Sequence, residues 1–139
     1  MAARLLEHAL DAEEEPLRSL KVASAGIAAC NGEPPSANSH KALQKVGLSL
    51  DDHRSQPVTH ELIDRSLAIF GMTESHRALL TYHFENLPQH VYLMREFLDD
   101  NPEIPDPYGM SLTEYEACRD SMVEAIPSLI RFLKEIKQK

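Results

Sequence analysis

No stretch of this chain is apolar for anything near the ~20 residues needed to cross a bilayer, so no membrane partner is expected. Positive charge is scarce: 14 Lys and Arg stand against 22 Asp and Glu, a net charge of −8. A nucleic-acid binder needs a basic face, and this balance excludes that class. Cysteine is nearly absent. Cys30 and Cys118 lie far apart with no CxxC, which removes both a disulfide framework and a zinc framework and leaves a reduced, cytoplasmic protein as the expectation. The opening residues are not a secretory signal, because Arg4 and Glu7 interrupt the apolar stretch and Glu13-Glu14-Glu15 follows it. The seven histidines show no H-x-x-x-H spacing, and neither G-x-G-x-x-G nor G-x-x-x-x-G-K-[ST] occurs. No metal or organic cofactor is expected.

What remains is an ordinary globular composition. Hydrophobic residues make up 42% of 139, enough for a single domain spanning 1–139 with a real core and too few residues for two. Residues 2–12 are good helix formers with Leu5, Leu6, Ala9 and Leu10 on one side. Glu13 to Arg18 reads as an acidic connection without a role of its own. Leu20 to Ala25 reads as a strand ending at Gly26. Ser36 is placed to cap a helix stopping at Gly47, and Thr59 to cap a short one through Arg65. The apolar run Leu67-Ala68-Ile69-Phe70 predicts a strand buried on both faces. Thr73 caps a helix through roughly Phe84, and Val91 to Met94 is the next strand. Ser111-x-x-Glu114 is a capping box. It opens a long helix along Tyr115, Cys118, Met122, Ile126, Leu129, Leu133 and Ile136, which Pro127 either kinks or splits. Strands alternating with helices make the class α/β with a parallel sheet. Three strands are few for such a sheet, so the sequence looks one strand short.

The residues best suited to chemistry lie in Ile104-Pro105-Asp106-Pro107-Tyr108-Gly109. Proline fixes its own φ and restricts the residue before it, so Asp106 sits on a rigid turn. A carboxylic acid held that way beside an aromatic suits a general acid, although an Asp-Pro turn is also among the commonest loop signals. Ser24 falls at the end of a predicted strand, where α/β proteins place ligands, and also suits plain close packing before Gly26. His76 lies in the first turn of a predicted helix, where surface histidines are common. Cys118 belongs to the apolar stripe of the last helix, which predicts a buried, inert thiol.

Val22-Ala23-Ser24-Ala25-Gly26-Ile27, Asp52-His53-Arg54-Ser55, Met72-Thr73-Glu74-Ser75-His76 and the Asp106 turn follow one another in that order. With them, the chain from Met1 to about Lys137 resembles the low-molecular-weight phosphotyrosine/phosphoarginine protein phosphatases. The resemblance implies a Rossmann-like three-layer domain with a small parallel sheet of order 2-1-3-4, and a phosphorylated protein as partner. It implies hydrolysis through a cysteinyl-phosphate, with Asp106 as general acid and then base. Tyr108 and Gly109 would line the substrate pocket, a small residue at 109 being typical of the arginine-phosphatase branch. Ser24 and His76 would support the phosphate loop. The family's nucleophile sits in a C-x5-R loop after strand one, and Met1-Ala2-Ala3-Arg4-Leu5-Leu6 resembles the helix that follows that loop. Six residues beyond Cys30 stands Ser36, and six beyond Cys118 stands Glu124, so neither makes C-x5-R. The expectation is therefore an N-terminally truncated chain lacking strand one and the loop, roughly 15 residues, and inactive as it stands. A non-catalytic remnant acting as a binding module is the alternative; an unrelated α/β interaction module is a third reading.

Overall fold

The computed structural model describes residues 1–26 and 32–137. Its elements are α1 (Ala2–Asp11), a 3-10 turn (Leu17–Ser19), α2 (Ala37–Gln44), α3 (His60–Asp64), β1 (Ala68–Gly71), α4 (Glu74–His83), β2 (His90–Leu93) and α5 (Leu112–Lys137). The chain divides into two compact units: Met1–Ser24, Pro35–His53 and Asp106–Lys139 in the first, Ala25–Pro34 and Arg54–Pro105 in the second.

The first unit is helical. Apolar residues at helical spacing put Leu5, Leu6 and Leu10 of α1 on one side and Tyr115, Cys118, Met122, Leu129 and Leu133 of α5 on another, all buried. α1 and α2 both pack on α5, and the 3-10 turn closes against α1 and α5 through Leu17. Ala42 and Leu43 of α2 are 0% exposed. Each large side chain buried this way is worth about 1.5–3 kcal/mol of transfer free energy. Polar groups reinforce the packing. Arg119 of α5 is buried and its Nη1 donates to the Ala42 carbonyl at 2.8 Å. Lys45 and Glu116 pair at 2.9 Å. Pro127 neither splits nor ends α5, which runs unbroken to Lys137.

The second unit holds the sheet. β1 and β2 run parallel with Ala68 opposite His90 and Gly71 opposite Leu93. α4 is the connection between them and packs on both. The cap residues act as their chemistry requires: the Ser36, Thr59 and Thr73 side chains accept from the backbone N–H of Ser39, Leu62 and His76, satisfying donors the first turn leaves open. At the end of the sheet Met94 N–H donates to Gly71 O and Ile104 N–H to Met72 O, both at 2.8 Å. That second bond moors the buried Ile104, two residues before Asp106. Arg95, 3% exposed, ties the intervening turn by donating to Asn101 O and to Asp100.

Two expectations change. Leu20 to Ala25 is not a strand. Gly26 alone forms a parallel bridge with Pro57, its N–H donating to Gln56 O and its carbonyl accepting from Val58 N–H. A strand exists only where a ladder partner runs alongside it, and among the described residues this segment meets one at a single residue. The β1 residues are half-buried rather than enclosed on both faces; among the described residues β2 pairs with β1 and α4 packs against it.

Candidate active site

The turn carrying Asp106 is built by its own backbone rules. Ile104 is fixed in the second unit; from Asp106 onward the chain belongs to the first. Asp106 Oδ1 accepts from Tyr108 N–H at 3.0 Å, so the carboxylate closes an Asx turn over Pro107. Met110 N–H donates to Pro107 O at 2.9 Å and Gly109 has φ +80°, the pattern of a type II turn with glycine at its third position. A side chain there would meet nothing within 4 Å, but its backbone would be strained. Gly109 is thus accounted for by backbone geometry alone. Tyr108, at the second position, is 81% exposed, and Asp106 is exposed as well.

Asp106, Tyr108 and Gly109 therefore stand together on one short turn. Ser24 lies in the same unit, half-buried, outside any helix or strand. His76 belongs to the other unit, exposed in the first turn of α4, its N–H held by Thr73 Oγ1 at 3.2 Å. α4 also begins against Glu103, whose carboxylate accepts from Glu74 N–H at 2.8 Å. Cys118 faces the helical core. Burial pushes its thiol above the usual 9.0; the Met1 ammonium opposes the shift and the Asp106 carboxylate adds to it. A thiol held neutral is a poor nucleophile. Cys30 lies outside the described residues. Among the described residues no group of three or more His, Cys, Asp or Glu side chains is gathered to hold a metal, and no helix is long and apolar enough to cross a membrane.

One residue of this region carries no sequence signal. Asn38, in the first turn of α2, donates from Nδ2 to the Met110 carbonyl at 3.2 Å, reaching the turn from 72 residues away. Nothing in Ser-Ala-Asn-Ser marks that reach, because it is set by tertiary placement.

The fold has counterparts among known proteins. The model of the family "Low molecular weight phosphotyrosine protein phosphatase" matches residues 1–139. The chain belongs to that family. The protein-arginine-phosphatase of Geobacillus stearothermophilus is 28% identical over 96% of this chain and 86% of its own length. That of Bacillus subtilis is 28% identical over 89% of this chain and 82% of its own. Among solved structures, the YwlE arginine phosphatase from Geobacillus stearothermophilus superimposes with a TM-score of 0.83 at 27% identity, covering 99% of this chain and 85% of that one. The Erwinia amylovora tyrosine phosphatase AmsI gives 0.82 at 26% identity, over 94% and 81%. The architecture is accordingly the Rossmann-like phosphatase fold with a small parallel sheet.

Proposed function

We propose that this domain supplies the acid–base half of a protein phosphatase site, acting on phosphoproteins and on phosphoarginine in preference to phosphotyrosine. The observation that carries the reading is Asp106, exposed on a turn that its own carboxylate and two prolines hold in shape. In the reaction a cysteine thiolate attacks phosphorus, the bond to the leaving oxygen or guanidinium nitrogen breaks, and Asp106 gives that atom its proton. Asp106 then takes a proton from the water that cleaves the thiophosphate, releasing inorganic phosphate and regenerating both groups. Tyr108 forms the wall of the pocket, and Ser24 and His76 assist the phosphate loop. The preference for arginine is supported by the two arginine phosphatases above and by the absence of a second aromatic at Gly109. Because the turn needs glycine at 109 for its backbone, the relatives carry more of that argument. The site of action proposed is the cytoplasm.

The nucleophile must come from a C-x5-R loop, and neither cysteine here is followed by arginine at the sixth position. The 139 residues on their own are therefore expected to turn nothing over, and the catalytic reading applies to this domain joined to such a loop. The same absence supports a second reading, a non-catalytic module that binds phosphoproteins. The experiment is a side-by-side assay of the 139-residue polypeptide and the protein isolated from its native cells, against an aryl phosphate and a phosphoarginine peptide. Activity confined to the native form is expected. Hydrolysis by the 139-residue polypeptide that Asp106→Ala abolishes would overturn the requirement for the loop. Inactivity of both forms, with phosphopeptide binding retained, would favour the second reading.

A further inference from the structure

The Asp106 turn is exposed, yet its far end is not loose. Asn38 Nδ2 donates to the Met110 carbonyl at 3.2 Å, and Met110 in turn closes the type II turn by donating to Pro107 O. The element that carries Asn38 is itself fixed. Ala42 and Leu43 of α2 are fully buried, Arg119 of α5 donates into the Ala42 carbonyl at 2.8 Å, and Lys45 pairs with Glu116 of α5 at 2.9 Å. A side chain on a locked helix thus grips the backbone of a turn whose neighbours offer it little apolar burial: Tyr108, Gly109 and Met110 are all exposed. The geometry points to Asn38 as a positioning residue for the Asp106 carboxylate. It acts through the Met110 carbonyl, holding Tyr108 N–H where Asp106 Oδ1 accepts from it.

The proposal takes its significance from the reading of Asp106 as proton donor, but its test does not depend on that reading. Asn38→Asp keeps the shape of the side chain and removes the donor. Asn38→Gln keeps the donor on a longer arm. The two alternatives differ in sign. Asn38 is the second helical residue after the Ser36 cap, and an acidic group there complements the helix dipole, so a role confined to α2 stability would leave Asn38→Asp undiminished or firmer. Loss of one hydrogen bond of ordinary strength should instead loosen the turn roughly three- to tenfold.

The measurement is residue-resolved amide exchange by NMR on the 139-residue protein and both variants. In Asn38→Asp, exchange at Tyr108 and Met110 should quicken by that factor while the α5 core amides keep their rates. In Asn38→Gln it should return to within about twofold of the parent, the longer arm still offering the donor. Unchanged exchange at Tyr108 and Met110 in Asn38→Asp would overturn the proposal. So would acceleration spread evenly over α2, α5 and the turn, which reports global destabilisation, or equal acceleration in both variants, which removes the donor from the account. Whether Asp106 donates a proton is decided separately by turnover of its own variants, so the two ideas fail in distinguishable ways.

Discussion

The helical unit and the sheet unit solve the same problem of burial to different degrees. α5 gathers α1, α2 and the 3-10 turn around one apolar stripe that buries seven of its own apolar side chains, from Tyr115 to Leu133. The sheet unit rests on Ile63, Leu80, Leu93, Met94 and Ile104, while every β1 residue stays half-buried. The difference shows that the structural weight lies in the helices, whereas the sheet unit depends on turn chemistry: the Thr73 cap, the Glu103 carboxylate at the start of α4, and Arg95 binding its own loop.

The sharpest way to break this comparison is a pair of truncations. Leu43→Ala removes a fully buried side chain from the helical unit and should cost about 2–5 kcal/mol. Ile69→Ala in the half-buried β1 should cost roughly half as much. Urea unfolding midpoints measure both, and an equal loss would mean the sheet is as much a core as the helices.

A smaller effect tests the role of caps. Thr73→Ala deletes the acceptor for His76 N–H and should cost about 1 kcal/mol. Thr73→Ser should restore most of it, and a silent alanine would show that Glu103 alone satisfies that end of α4.

The smallest effect is one of pH. Burial holds the Cys118 thiol neutral in the folded state above its usual 9.0. Below that value both states keep the proton and the thiol contributes no slope. Above it the unfolded chain binds fewer protons than the folded one, so stability falls as pH rises towards the folded value. The fall in urea midpoint above 9.0 should be shallower in Cys118→Ala than in the parent. Parallel slopes would mean the thiol ionises as readily in the folded protein.

The helices were legible because their signals are local. Ser36, Thr59 and Thr73 each cap the helix that their position predicted, and the spacing from Tyr115 to Leu133 marked α5 despite Pro127. β1 and β2 appeared within a residue of their predicted places because apolar runs bounded by polar turns are local as well. The segment at residues 20–25 forms no strand despite its apolar pattern, since a strand depends on its partner and its own residues do not reveal whether one runs alongside. At the site, two prolines announced the Asp106 turn, and the structure adds its internal bond to Tyr108 N–H. Asn38 was out of reach: an amide side chain near a helix start says nothing about a carbonyl 72 residues away.

The most direct test of the account is the leaving-group dependence of turnover in a form that carries the C-x5-R loop, compared with its Asp106→Asn variant. If Asp106 is the proton donor, the variant should be slower by about 10²–10⁴ on substrates whose leaving group needs a proton. It should change little on an aryl phosphate whose phenolate leaves unaided, with phosphate binding intact. Equal turnover by parent and variant across the whole leaving-group series would contradict it.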